Sequence, residues 1–232
     1  MEIHKPRPVH SWREFLKEYA IIVLGVLTAL VGEELVVMVH HHFQVADLRS
    51  ALRRELAWNL LSIKDAVDDA PCIEQRLKEV EAWETSLQAP VQQKLKVQIP
   101  TLHYVIFRTS TWRSAAGGTL DNLPLDERVA YAQFYDGVEN NSGIRNRAGD
   151  AWADIRYFQD AHTLSDEEVR RISRDIREVR GAYRALTSNY QNFIAVYAPA
   201  TGVRTEDAPP RLPNGLANKA AREEVCKAMI QQ

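Results

Sequence analysis

Two regimes of hydrophobic patterning divide the chain. From Ala20 to Val31 it reads AIIVLGVLTALV, apolar all round a helix and uncharged; Gly32, Glu33 and Glu34 interrupt the run, and Leu35–Val39 (LVVMV) resumes it. Counted from Tyr19 to Val39, such a helix is about 31 Å long, enough to cross a bilayer core. Beyond Phe43 the pattern turns amphipathic: Val45, Leu48, Leu52, Leu56, Leu60, Ile63 and Val67 step by three or four and share one helix face. No Gly or Pro occurs between Glu33 and Ala70, so the spacing predicts that the first helix continues into the rest of the chain as a stiff stalk. Pro71 predicts the opening of a second helix, where its missing N–H does no harm. The stripe of that helix is Ile73, Leu77, Val80, Trp83 and Leu87, and Ala89–Pro90 ends it.

Further along, Val91–Pro100 alternates apolar and polar residues and reads as an extended connector. A short helix is expected over Tyr104–Ala116, stopped by Gly117–Gly118. Pro124 opens the next, with Val129, Ala132, Tyr135 and Val138 inward; Asn140–Gly143 (NNSG) predicts a break before Ile144, Ala148, Trp152, Ile155 and Phe158 restore the stripe. The clearest helix is Asp166–Tyr197, where Ser165 and Glu168 form a capping box. Its seam of Val169, Ile172, Ile176, Val179, Tyr183, Leu186, Tyr190, Phe193 and Tyr197 keeps spacings of three and four, the mark of bundle or coiled-coil packing. Pro199–Gly215 reads as a loop and Leu216–Gln232 as a terminal helix carrying Cys226. The fold class is therefore all-α: a short cytoplasmic tail (1–18), one N-terminal transmembrane helix (19–39), and an extramembrane helical bundle (40–232) into which that helix continues.

The flanks of the apolar run belong to a membrane interface, with Trp12, Arg13, Lys17 and Tyr19 on one side and His40, His41, His42 and Phe43 on the other. A long polar leader and the lack of an A-x-A site predict an uncleaved anchor. Glu33 and Glu34 lie in the far third of the span, close enough to its end to reach headgroups. Gly25, Ala29 and Glu33 recur every four residues with Gly32 beside them, a candidate face of small residues for association of two membrane helices. The stretch Ser11–Gly32 (SWREFLKEYAIIVLGVLTALVG) resembles the opening of a family of uncharacterised bacterial membrane proteins, in which an F-x-K-E module runs directly into a G-V-L-x-A-L span. The resemblance implies a single-span bacterial membrane protein and brings no activity, cofactor or catalytic residue with it. Lys5, Arg7, Arg13 and Lys17 precede the span and Arg49, Arg53 and Arg54 follow it. Arg13 and Lys17 lie nearest to it, which tilts the N-terminus to the cytoplasm and the bundle to the periplasm of an inner membrane.

Composition narrows the function without naming it. In 232 residues, 29 basic side chains face 31 acidic ones, a balance that argues against nucleic acid as a partner. Cys72 and Cys226 are the only cysteines, far apart and outside any metal-type motif. In an oxidising compartment they are expected to pair; the alternative is two inert buried thiols. His40, His41 and His42 occupy consecutive helical positions about 100° apart and do not converge on one ion. The charged face of Asp150, Asp154, Arg156 and Asp160 reads as solvated ion pairs. No nucleophile elbow, phosphate loop, dinucleotide fingerprint or H-E-x-x-H appears. Outside the membrane, the ligand-site candidate is Thr111–Gly118 (TWRSAAGG), where Trp112 and Arg113 offer stacking and an anion-binding fork beside Gly117 and Gly118. The same segment also reads as a tightly packed helix end. These observations assign no catalytic residue, metal or cofactor. The expected partners are the lipid bilayer and either another protein or a second copy of the chain. The alternative is a sensory or small-ligand-binding extracytoplasmic domain that signals through a partner.

Overall fold

Alanine, leucine, valine and glutamate are the commonest residues from Trp12 to Ser86, and this stretch forms a helix that does not break. In the computed structural model, which describes residues 12–89, 95, 98–102, 106–210, 220 and 223–229, helix α1 runs from Trp12 to Ser86. Contacts divide the chain into two units at Leu48 and Arg49, and α1 contributes to both. In the first unit, the most apolar 18-residue window of α1 is long and apolar enough to cross a membrane, and 0% of it is buried.

Pro71 lies inside α1, so the expected second helix is a continuation of the first. A proline here leaves the Val67 carbonyl without its intrahelical donor, at a cost of ~3 kcal/mol. Packing on both sides outweighs that cost. Leu52, Leu56, Leu60 and Ile63 before it are at most 1% exposed, as are Ile73, Leu77 and Val80 after it.

The second unit is a helical bundle. A short helix α2 (Ser110–Ala115) and a 3-10 turn (Thr119–Asn122) lead to α3 (Leu125–Tyr157) and α4 (Asp166–Asn192). Side-chain pairing gives the helix directions. Arg49 meets Glu127 and Glu55 meets Tyr135, so α1 and α3 are parallel. Asn141 meets Asn189 and Asp154 meets Arg171, so α4 is antiparallel to α3. One core joins Ile73, Leu77, Val80 and Trp83 of α1, Trp152 and Ile155 of α3 with Phe158 just past its end, and Ile172, Ile176 and Val179 of α4. Val225 and Met229 of the C-terminal segment complete it. A second, small-residue cluster (Ala66, Ile144, Ala148, Ala182 and Leu186) lets the same three helices approach closely.

Several local expectations are corrected. The helix expected over Tyr104–Ala116 is confined to Ser110–Ala115; 106–109 are irregular and 103–105 lie outside the described residues. The NNSG stretch does not break α3, because Asn141 is fully buried and accepts a 2.9 Å bond from Asn189 Nδ2. Val129 is 46% exposed, and Tyr131 and Phe134 take the inward positions beside Tyr135 and Val138. The last helix carries its capping box as expected, but ends in a π-helical turn (Phe193–Tyr197) and a short helix α5 (Ala198–Thr201), closed by Gly202 at φ +64°. Pro199, expected in a loop, lies in α5, and Thr205–Asp207 form a 3-10 turn. The connector expected at Val91–Pro100 and the terminal helix expected at Leu216–Gln232 lie largely outside the described residues; 98–102 are irregular and 223–226 are helical.

The π turn seats Phe193 against α3. A Cβ at Gly137 would come 2.8 Å from Phe193 Cζ, whereas one at Gly181 would meet nothing within 4 Å. Gly137→Ala is expected to destabilise the protein by about 1–3 kcal/mol through overpacking. Gly181→Ala, on the exposed face of α4, should stabilise it by about 0.5–1 kcal/mol. Urea unfolding midpoints of the two variants check both signs.

Candidate functional site

Three constellations gather the polar and covalent chemistry of the second unit. The first is built on Glu55, a carboxylate of α1 that is 7% exposed. Ser110 Oγ and the Thr111 N–H donate to its Oε2, both at 2.9 Å, while Tyr135 OH donates to Oε1 at 2.8 Å. Burial pushes the Glu55 pKa up, but the bonds from Thr111, Tyr135 and Ser110 outweigh it and hold the carboxyl below its ordinary range. Burial and the Glu55 charge push the Tyr135 phenol well up, so it stays a donor. One turn on, Asn59 is fully buried and bonds both backbone groups of Arg108: the N–H at 2.8 Å and the carbonyl at 2.7 Å. Arg108 in turn lies 3.8 Å over the Trp58 ring. Arg108 therefore stands outside α2, its peptide groups held by Asn59 instead of a helical ladder.

The segment Thr111–Gly118 is docked on this junction. Trp112 is half-buried and stacks on Tyr135 at 5.0 Å between ring centroids. Arg113 turns to Glu139 at 3.1 Å, with both side chains exposed. Gly117 takes φ +91°, which favours glycine, and a Cβ at Gly117 or Gly118 would meet nothing within 4 Å. Trp112 and Arg113 thus engage different residues of α3, and the two glycines make the turn away from α2.

The second constellation ties the C-terminal segment to α1. Cys72 and Cys226 form a disulfide with Cα atoms 4.9 Å apart, linking residues separated by 154 positions. Arg76, 3% exposed, donates to the Lys227 carbonyl and to Glu79 Oε1 at 2.8 Å, and Glu79 Oε2 accepts the Met229 N–H at 2.7 Å. The two cysteines were legible as a possible pair; Arg76 and Glu79, which fix the segment after Cys226, carried no sequence signal beyond helical i, i+3 spacing.

The third lies between α1 and α4. Arg180 grips two carboxylates of α1: its Nε is 2.9 Å from Glu74, and its Nη1 and Nη2 are 3.0 and 3.1 Å from Glu81. Beside it opens a cleft of about 570 Å³, lined by Val67, Ala70, Pro71, Ile73 and Leu77 of α1 and by Tyr183, Arg184 and Thr187 of α4, with Glu74 and Arg180 at its edge. Behind the wall, Arg145 donates to Tyr183 OH. Burial pushes the Tyr183 phenol up, against the opposing pull of Arg145. Asp175 of α4 is 6% exposed, and its Oδ2 has no hydrogen-bond partner. Burial raises its pKa; Arg174, at 3.5 Å, lowers it, and the Asp154 charge adds to the rise.

In the first unit, Gly25 and Gly32 have open space around them, and Ala29 and Glu33 are exposed on α1. The rings of Trp12, Phe15 and Tyr19 form a ladder at 5.5 and 6.3 Å. His40 meets Gln44 at 2.9 Å, and among the described residues no three His, Cys, Asp or Glu side chains come together in a way that could hold a metal ion. Of the charged face on α3, Asp154 pairs with Arg171 at 2.8 Å, and Arg156 donates to the Ile99 carbonyl at 2.9 Å. No protein family, characterised protein or solved structure is detectably similar to this chain.

Glu55 and Asp175 are expected to respond to pH in opposite directions. A lowered carboxyl pKa stabilises the fold above the ordinary carboxylate range, and that stability is lost as pH falls through the folded value. Glu55→Gln should cost about 2–3 kcal/mol at neutral pH and flatten the acid limb of the stability profile. A raised carboxyl pKa opposes folding at neutral pH, so Asp175→Asn should stabilise the protein there. That gain should vanish in acid, where the native carboxyl is protonated as well. Urea titrations between pH 3 and 8 read both. Separately, Cys72→Ser with Cys226→Ser should cost up to about 5 kcal/mol, the chain-entropy value for a loop of this length. Hydrogen exchange should then speed up first at 223–229.

Proposed function

We propose that this chain is a single-span membrane protein whose helical bundle lies on the extracytoplasmic side and acts by binding, through protein interaction or self-association, without catalysing a reaction. The observation that carries this reading is the contrast along α1. From Leu52 to Trp83 its apolar stripe is buried in a bundle core, while Ile21, Ile22, Leu24, Leu30, Val36 and Met38 are each more than half exposed. An apolar surface of that extent is unstable in water and calls for lipid or protein cover. A 21-residue stretch that is apolar save for Glu33 and Glu34 near its far end, with aromatic rings at one end and His40–Phe43 at the other, fits a bilayer.

The Cys72–Cys226 disulfide supports the extracytoplasmic side, because such bonds persist in oxidising compartments. Arg13 and Lys17 beside the apolar run support a cytoplasmic N-terminus, and the likeness of Ser11–Gly32 to the opening of bacterial single-span proteins supports an inner membrane. A binding role is supported by where the polar chemistry goes. Glu55, Arg145 and Arg180 are spent on joining helices and Arg76 on tying the C-terminal segment to α1, while Gly25, Ala29, Gly32 and Glu33 offer a face for a second copy.

Expressed at full length in a Gram-negative host, the protein should stay in the membrane pellet after alkaline carbonate washing. A C-terminal alkaline phosphatase fusion should be active, and a C-terminal green fluorescent protein fusion dark. Release by carbonate would remove the anchor; the reverse reporter pattern would invert the orientation.

A further inference from the structure

The α1/α4 cleft is assigned by none of the roles above, and its wall has an uneven polar inventory. Its floor is apolar: Val67, Ala70, Pro71, Ile73 and Leu77 all face it. Its volume of about 570 Å³ falls within the range of small-molecule sites. Nearly every polar side chain on it is already engaged. Glu74 and Arg180 hold each other at 2.9 Å, and Arg180 turns its other nitrogens to Glu81. Thr187 Oγ1 donates to the Tyr183 carbonyl at 2.9 Å, and Tyr183 OH accepts from Arg145. Arg184 is the exception. It is exposed one helical turn beyond Arg180, and among the described residues it has no ion-pair or hydrogen-bond partner.

A guanidinium is a planar fork of five donors that pairs bidentately with a carboxylate. With Glu74 and Glu81 claimed by Arg180, the group left open among the residues lining this cleft is the Arg184 guanidinium, at the rim of an apolar floor. We infer that the cleft between α1 and α4 is a binding site for a small monocarboxylate with an apolar body, its carboxylate on Arg184 and its body over Val67, Ala70 and Pro71. The site lies wholly within the bundle, so it does not depend on α1 entering lipid.

The test uses the full-length chain, in buffer or in lipid nanodiscs, whichever keeps it monodisperse, with empty discs as the blank. The probe is 3-phenylpropionate at neutral pH, titrated by calorimetry or by ligand-observed NMR. Saturable binding is expected with Kd below about 1 mM. Acetate, which lacks the apolar body, and 3-phenylpropylamine, which reverses the charge, should each bind at least about tenfold more weakly. Arg184→Gln should weaken 3-phenylpropionate by about tenfold or more, while Arg177→Gln, on the exposed surface of α4 away from the cleft, should leave it unchanged. Absence of saturable binding, equal binding of the amine, or equal effects of the two arginine variants would each overturn the assignment. Far-UV circular dichroism of both variants verifies that each retains the fold.

Discussion

The core shared by α3, α4 and the C-terminal segment closes against a single helix. From Ile73 to Trp83, α1 supplies one wall of the core that also takes in Trp152 and Ile155 of α3, Ile176 and Val179 of α4, and Met229 near the C-terminus. α3 and α4 pack on each other over most of their length, yet the large side chains on their inner faces need a third partner. That partner is the same helix whose preceding turns are bare and apolar. The protein therefore has one element with two solvents: a protein interior for its second half and, on the proposed reading, lipid for its first.

Polar groups inside the bundle do a different job from the apolar ones. A helix stripe of Leu, Ile and Val tolerates axial slippage, because its residues are interchangeable. Glu55 with Tyr135, Arg145 with Tyr183, and Asn141 with Asn189 are not interchangeable, and each joins two different helices. A one-turn slip of α3 or α4 would strand several buried polar groups at once, at about 1–3 kcal/mol each. The interior polar groups thus fix which residue faces which, while the apolar seam supplies most of the burial.

Much of this was readable from residue spacing. The stripe from Leu48 to Ile63, the seam from Ile172 to Leu186 and the Ser165–Glu168 box all stand where periodicity put them. Local rules failed where a distant side chain overruled them. Pro71 did not start a helix, because buried residues on both sides of it belong to one continuous stripe. NNSG did not end one, because Asn141 found Asn189 across the interface. Residues 106–109 are not helical, because Asn59, about 50 positions before Arg108, takes both of its backbone groups. The candidate site was less legible still. Trp112 and Arg113 drew attention by residue type, but the three-dimensional clustering centres on Glu55, on Arg76 and on the Arg180–Arg184 turn. Their significance lies in partners far along the chain, which spacing within one helix does not reveal.

The cystine also alters the topology of the molecule. With Cys72 joined to Cys226, everything from the last turns of α1 through α5 belongs to one closed covalent ring. A protease that severs the backbone anywhere inside that ring linearises it without releasing a fragment. Nicked molecules therefore keep their full mass until the sulfurs part, and damage to the exposed turns is retained by the chain instead of shed.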